Sequence, residues 1–193
     1  MTQALRWTSR DLEVLPDDGK RYEIIDGELY VSRQPHYFHQ RLCARFTSAL
    51  DRWSDETGAG ETSVAPGLIF AEDDDVVPDI AWVSTARLAS VLRPDGKLHG
   101  APDLVIEVLS PGATNQQRDR ETKLKLYGRR GVREYWIADW QQRQVEGYRR
   151  NGISLQLVGT WVDDDVIESP LLPGFRLPLR QLFAGLPPAT RSR

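Results

Sequence analysis

An almost unbroken apolar run, Leu-Val-Ile-Glu-Val-Leu over residues 104–109, is the sequence feature that most constrains the fold. A short run of this kind is typical of a β-strand that is buried on both faces. Such a strand lies inside a sheet that other elements cover from both sides. The chain therefore has to form a sheet-centred fold, and its 193 residues suffice for one such domain.

The order of the predicted elements indicates an α/β (or α+β) fold with a central mixed β-sheet flanked by helices. Asp26-Gly27 and Asn151-Gly152, each between two apolar-rich runs, are strong hairpin signals. Predicted helices cover residues 7–15, 36–57, 85–92, 115–130 and 179–183. Predicted strands cover residues 21–25, 28–32, 62–70 (two short strands), 76–83, 103–109, 133–139, 144–150 and 153–158.

The composition is that of an ordinary globular protein, with 40% hydrophobic and 27% charged residues. This excludes a disordered chain, a coiled coil and a fibre. We expect a single domain over residues 1–186 and a flexible C-terminal tail over residues 187–193.

The chain has one cysteine, Cys43, which excludes an internal disulfide and a thiolate zinc cluster. Cys43 lies in an apolar-periodic stretch, so we expect it to pack in the core. No apolar run approaches the roughly 20 residues of a membrane helix, and residues 1–10 lack the apolar core of a signal peptide. We therefore expect a cytoplasmic protein that does not associate with membranes.

Charge is distributed unevenly along the chain. Residues 51–79 contain nine acidic residues and one arginine, whereas residues 118–150 contain ten basic and five acidic residues. This asymmetry would suit a cation site beside a surface for an anionic polymer. Solvated loops and helix faces give the same pattern, and charge alone favours that interpretation.

Two carboxylates, Asp79 and Glu107, interrupt apolar strands. A buried acid costs several kcal/mol unless it is paired or binds a cation. One interpretation is that each acid forms a salt bridge with an arginine at a strand end. The other, which we favour because a basic helix follows, is that the strands are neighbours and the two acids bind Mg²⁺ together with a backbone carbonyl and waters.

The helix after the second acid carries a third candidate element. Asp119, Lys123 and Tyr127 are spaced by four residues and therefore share one helix face. Lys125 points to another face, so at most one of the two lysines can serve the site, and we favour Lys123. The alternative is that Asp119 and Lys123 form an ordinary helix-stabilising pair.

Several sequence blocks, in this order, resemble one nuclease family: residues 21–29, His39, residues 78–80 (Pro-Asp-Ile), 102–111 (Pro-Asp-Leu-Val-Ile-Glu-Val-Leu-Ser-Pro), 119–127 and 131–137 (Gly-Val-Arg-Glu-Tyr-Trp-Ile). The chain is identified as a member of the family catalogued as "putative restriction endonuclease", formerly a domain of unknown function, in the PD-(D/E)XK nuclease superfamily. The resemblance covers roughly residues 8 to 183. It implies a restriction-endonuclease-like core and Mg²⁺-dependent phosphodiester hydrolysis.

The resemblance also implies catalytic residues. Asp79 matches the motif aspartate, and Glu107 matches the (D/E) position. The motif lysine should stand at position 109, where this chain has Leu109. In this family the lysine comes from the following helix, and Lys123 is the matching position.

The leading hypothesis is an endonuclease acting on DNA, with Mg²⁺, or alternatively Mn²⁺, as cofactor. Asp79 and Glu107 would hold the ion, with the Val108 backbone carbonyl as a third ligand. Glu23 resembles the additional N-terminal acid of the superfamily, and His39 is its weaker neighbour. Two alternatives remain: a non-catalytic nucleic-acid-binding or interaction module with the same fold, and a metal-dependent hydrolase of another substrate.

A homodimer is predicted because cleavage of both strands of a duplex commonly needs two sites related by a two-fold axis. The chain also has six tryptophans, and aromatic residues are enriched at interfaces. Trp82 and Trp136 lie inside predicted strands and are expected in the core. Trp140 and Trp161 lie beside turns and are the better interface candidates.

Overall fold

Three sheets and one long helix organise residues 5–189, which are the residues that the computed structural model describes. The helices are α1 Ser9–Leu12, α2 Tyr37–Thr57, α3 Thr85–Val91, α4 Ala113–Gln117, α5 Leu124–Arg130 and α6 Leu179–Leu182, with a π-helical segment, Arg118–Lys123, between α4 and α5. The strands are β1 Arg21–Ile25, β2 Glu28–Ser32, β3 Gly60–Val64, β4 Leu68–Ala71, β5 Asp74–Val76, β6 Ile80–Ser84, β7 Leu104–Val108, β8 Glu134–Asp139, β9 Gln144–Asn151, β10 Ser154–Val162, β11 Val166–Ser169 and β12 Leu172–Pro178. Of the predicted tail, residues 190–193 lie outside the described residues, as do residues 1–4 of the predicted domain.

The central sheet has six strands in the order β10-β9-β8-β7-β6-β3. β7 and β8 are parallel and the other neighbours are antiparallel, so the sheet is mixed. The helical stretch from α4 to α5 connects the parallel pair, as parallel strands require. The predicted fold class, a mixed sheet flanked by helices, is confirmed.

Strand β7 explains the apolar run in the sequence. All five of its residues are buried. Ile106 packs in a cluster with Phe46 of α2, and Val105 packs in the opposite cluster with Leu126 of α5. Because both faces are covered by helices, the apolar side chains do not alternate with polar ones.

The first hairpin forms as predicted but does not join the central sheet. Asp26 and Gly27 have φ values of 54° and 75°, the left-handed conformations of a type I′ turn. The hairpin belongs to a separate four-stranded sheet with the order β2-β1-β5-β4. This second sheet was not predicted, because long-range strand pairing, here Ile24 with Asp75, has no local sequence signal.

The strand predicted over residues 76–83 is in fact two strands in two sheets. β5 ends at Val76 and β6 begins at Ile80. Pro78 lies between them, and proline lacks the N–H that a continuous ladder needs. Asp79 therefore lies directly before β6 rather than within a strand.

The β11–β12 hairpin was not predicted from the sequence. Pro170, Pro173 and Gly174 interrupt its apolar pattern and hide the strand signal. Its apolar residues nevertheless complete the core cluster under α2, where Phe175 lies against Trp53 and Trp136.

Trp140 and Trp161 pack within this chain instead of forming an apolar surface patch. Trp140 is buried and stacks on His36, with 5.0 Å between the ring centroids. Trp161 is half-buried and covers Gly147, where an added Cβ would lie 2.5 Å from its ring. Trp140 is buried, so its prediction as an interface residue was wrong. Trp161 keeps a partly exposed surface, and its place at an interface stays a prediction. Among the described residues, no helix is long and apolar enough to cross a membrane.

The acidic and basic segments contact each other. Asp74 is fully buried and accepts hydrogen bonds from Arg129 and Arg130 and from the Asp26 backbone amide. This contact pins α5 and the turn of the first hairpin to β5. Part of the charge asymmetry is therefore internal ion pairing between the two segments.

We predict that Asp74→Ala destabilises the protein by about 2 to 4 kcal/mol, because it removes the buried carboxylate that Arg129 and Arg130 share and leaves them their pairs with the more exposed Asp26 and Asp73. The matched control is Asp73→Ala, whose side chain is 40% exposed and pairs with Arg6 at the surface. The control should cost less than about 1 kcal/mol. Urea denaturation of both variants measures the difference, and equal losses would contradict the internal role of Asp74.

Candidate active site

Side chains from the four-stranded sheet, the central sheet, a loop and the π-helical segment meet in one buried cluster. Strand β1 contributes Glu23, and the loop before β6 contributes Asp79. Strand β7 contributes Glu107, and the π-helical segment contributes Asp119 and Lys123. All five side chains are buried.

The Lys123 ammonium lies between two carboxylates. Its Nζ is 2.9 Å from Glu23 Oε1 and 2.8 Å from Glu107 Oε1, and the residue is 1% exposed. Burial alone would lower the pKa of Lys123, but the negative charges of Glu107 and Glu23 outweigh it and raise the pKa above its ordinary value. Lys123 therefore remains an ammonium ion at neutral pH.

Glu107 has a pKa well above the ordinary value of a glutamate side chain. Burial raises its pKa to about 8, although Lys123 opposes the shift; the neighbouring charges of Asp79, Asp119 and Glu23 reinforce it. Tyr127 of α5 donates a second hydrogen bond to Oε1, at 2.9 Å. Burial therefore favours the protonated form of Glu107 in the metal-free site.

Asp79 is ionised and fully engaged by donors. Arg21 donates to Oδ1 at 2.9 Å, and the Val108 amide donates to Oδ2 at 2.9 Å. The His39 ring nitrogen Nε2 lies 3.0 Å from Oδ2. Burial raises the pKa of Asp79, but the His39 hydrogen bond and the charges of Arg21 and Lys123 lower it below its ordinary value.

Asp79 and Glu107 are brought together by strand pairing. Ile80 of β6 pairs with Ile106 of β7 in an antiparallel register, and continuing this register by one residue sets Asp79 opposite Glu107. Directly opposite residues of an antiparallel pair point to the same face. The sequence left open whether each acid forms a salt bridge with an arginine at a strand end. Asp79 does form such a pair, with Arg21.

Glu23 has one satisfied and one unsatisfied oxygen. Oε1 accepts the Lys123 bond and a hydrogen bond from the Val77 amide at 2.9 Å. Oε2 is buried without a hydrogen-bond partner, 3.7 Å from Arg118 Nη1. Burial raises the pKa of Glu23, but the charges of Lys123 and Arg118 lower it below its ordinary value.

The π-helical segment aims the predicted face of the helix at the cluster. A π turn contains more residues than an α turn, so residues four apart remain close to one line along the segment. Asp119 and Lys123 are both buried, whereas Lys125 is exposed. The sequence predicted an uninterrupted helix over residues 115–130, and the π segment is a correction that periodicity alone does not reveal.

A cavity of about 220 Å³, hereafter the acid cavity, opens onto the cluster. Asp79, Glu107 and Asp119 line it, together with Val108. Burial raises the pKa of Asp119 despite its contact with Arg118. Three carboxylates therefore face one small polar space, which is the arrangement that a hard cation needs.

Two functional side chains escaped sequence reasoning. Arg21 holds Asp79, and Arg118 lies beside Glu23 and Asp119 while donating to Ser32. Arg21 could have been found because it lies two residues before Glu23 on β1, and residues two apart share a strand face. Arg118 has no such signal, because its direction depends on the π turn.

His39 lies beside Asp79 rather than beside Glu23, the acid that the sequence paired it with. His39 Nδ1 is 3.7 Å from the Cys43 thiol, and His39, Cys43 and Asp79 form a group whose ligand atoms lie within 4.8 Å of one another. Cys43 is buried, as predicted. Burial raises the pKa of its thiol above the ordinary value.

The family model Uma2, described as "Putative restriction endonuclease", matches residues 9–180. The chain belongs to the Uma2 family. The resemblance read from the sequence blocks is therefore confirmed, and the cluster of this Uma2 protein lies within the matched residues. No curated protein matches the chain.

A solved structure supports the fold of this Uma2 protein. It is a crystal structure described as "a putative nuclease belonging to DUF820" from Anabaena variabilis. The two share 19% sequence identity with a TM-score of 0.74, over 92% of this chain and 97% of that chain. The likeness extends over nearly all of both chains, so the Uma2 protein shares the fold of that protein over the matched part.

We predict that Glu107→Gln stabilises the metal-free protein increasingly as pH rises from about 5 to 8. The Glu107 carboxyl has a pKa of about 8 in the folded state and an ordinary value of 4.5. Between these values the folded state binds more protons, so the contribution of Glu107 to stability falls as pH rises. The difference between the two proteins should grow by at most about 1.4 kcal/mol per pH unit.

Urea denaturation in a chelator, at several pH values, measures this difference. The control is Glu121→Gln, because Glu121 is exposed on the same helical stretch. A Glu107→Gln effect that is independent of pH would contradict the raised pKa.

Proposed function

We propose that this Uma2 protein is a Mg²⁺-dependent endonuclease that hydrolyses phosphodiester bonds in DNA. One observation carries the proposal. Asp79 and Glu107 line the same cavity, and the Lys123 ammonium is bonded to Glu107. These are the residues that match the nuclease motif, although they come from a loop, a strand and a helix that are far apart in the sequence.

The oxygen atoms that line the acid cavity are suitable ligands for Mg²⁺ or Mn²⁺. Both ions prefer carboxylate oxygens and water. Glu107 Oε2 has no hydrogen-bond partner among residues 5–189 and is free to bind an ion, and Asp79 supplies the second carboxylate. Asp79 would exchange its bond to Arg21, whose side chain is 28% exposed and can turn towards solvent. The Val108 carbonyl remains the proposed third ligand.

When bound, the ion would polarise the scissile phosphate and acidify a water molecule. Lys123 keeps its proton at neutral pH but does not line the acid cavity, so it would hold the Glu107 carboxylate and offset the negative charge of the cluster as charge develops on the phosphate. Glu23 holds the Lys123 ammonium from the opposite side. His39 and the Val108 amide fix the Asp79 carboxylate.

We predict that the protein nicks supercoiled plasmid in the presence of Mg²⁺ or Mn²⁺ and that a chelator abolishes nicking. Asp79→Asn and Glu107→Gln should each lower the rate by at least about 100-fold, because each removes a charged ligand of the ion. Asp73→Asn is the matched control and should keep the rate. Gel electrophoresis of the plasmid measures the product.

The same assay distinguishes the alternatives. DNA binding without nicking by the wild-type protein would favour the non-catalytic module. Metal binding without DNA binding or nicking would favour a hydrolase of another substrate.

We predict that Lys123→Met abolishes nicking and that Lys125→Met does not. Lys123 is buried between two carboxylates, whereas Lys125 is exposed on another face of α5. Because Lys123→Met also leaves Glu23 without its partner, we expect it to lower stability by about 2 to 4 kcal/mol. Assays are therefore run well below the melting temperature of the variant. Loss of nicking in Lys125→Met alone would show that the catalytic lysine was misassigned.

A homodimer remains part of the proposal, because the described residues contain one cluster of this kind and cleavage of both strands of a duplex calls for two. Light scattering at micromolar concentration should give twice the chain mass of 21.9 kDa. A mass of one chain would instead favour a nicking enzyme.

A further inference from the structure

Arg33 lies at the junction of three cavities beside the acid cluster. It lines the acid cavity, a second cavity of about 630 Å³ and a third of about 470 Å³. Its side chain is exposed and forms no hydrogen bond or ion pair with any residue from 5 to 189. We call the second cavity the flanking cavity.

The remaining cations of the acid cavity are engaged by acids. Lys20, Arg21 and Arg118 each form an ion pair with a nearby carboxylate. Their respective partners are Asp18, Asp79 and Asp119. Arg33 is therefore the cavity cation whose charge is available to an anion from solution.

The flanking cavity also presents an aromatic ring. Tyr37, the first residue of α2, lines it and is 68% exposed. The ring packs edge-on against Phe38, with 5.4 Å between the ring centroids. An exposed aromatic beside an available guanidinium is the combination that binds single-stranded nucleic acid, since the ring stacks on a base and the guanidinium pairs with a phosphate.

We propose that the flanking cavity binds one unpaired nucleotide next to the scissile phosphate, with its phosphate on Arg33 and its base on the Tyr37 ring. This inference rests on the proposed nuclease function and specifies its substrate class. A base can stack on a protein ring only when it is outside a duplex stack. The preferred substrate is therefore DNA with a single-stranded segment.

The net charge of the chain makes one available cation more important. At a formal net charge of −3, the protein as a whole repels a polyanion. Affinity must then come from local contacts, because no general positive field supplies it. Loss of a single phosphate contact should consequently be measurable.

Binding is measured by fluorescence polarisation of a labelled single-stranded oligonucleotide and of the matching duplex, in the Glu107→Gln background with Mg²⁺ so that cleavage does not interfere. Arg33→Ala should reduce the slope of log K against log salt concentration by about 0.7 on the single strand. Arg33→Lys should retain the slope. Arg93→Ala is the matched control, since Arg93 is exposed, forms no side-chain bond with a described residue and lines none of the three cavities.

Tyr37→Ala should weaken single-strand binding about 5- to 100-fold and leave duplex binding nearly unchanged, whereas Tyr37→Phe should retain both. Equal losses on single strand and duplex would overturn the unpaired base. An unchanged salt slope in Arg33→Ala, when the wild-type protein cleaves DNA, would overturn this inference and leave the nuclease function standing. The expected binding changes without any wild-type cleavage would support the subsite and overturn the nuclease function.

Discussion

The ammonium of Lys123, bonded to Glu23 and Glu107, is the interaction on which the site depends. Glu23 belongs to the four-stranded sheet and Glu107 to the central sheet. Lys123 belongs to the helical stretch that connects two strands of the central sheet. One buried cation thus holds three parts of the fold together. Removing it would leave two buried carboxylates facing each other, which is strongly unfavourable in a low-dielectric interior.

This arrangement links the electrostatics of the site to its proposed chemistry. The cluster contains more carboxylates than cations can neutralise, and burial raises the pKa of Glu107 to about 8, which favours its protonated form. A divalent ion at the acid cavity would take the place of that proton, so metal binding and deprotonation of Glu107 are coupled. Functional clusters commonly lower the stability of the folded chain when no metal is bound.

Much of the site could be predicted because its residues break a strong local pattern. Glu107 is conspicuous only because the rest of β7 is apolar, and Lys123 was favoured over Lys125 because of helix periodicity. The same reasoning could not find Arg118 or the π turn, since neither leaves a periodic trace. It also misplaced Trp140, because a tryptophan beside a turn packs inward or outward according to neighbours that are distant in the sequence.

The sequence alone determined the buried strand, the Asp-Gly hairpin, the mixed α/β class and the position of Glu107 within an apolar strand, since each rests on local propensity or periodicity within a few residues. The tertiary structure alone decided that the first hairpin joins β5 rather than the central sheet, that Arg21 and His39 hold Asp79, and that the acidic and basic segments pair with each other. These features depend on contacts between residues dozens of positions apart. Only the folded chain selects such contacts, because it must find a partner for every buried charge at once.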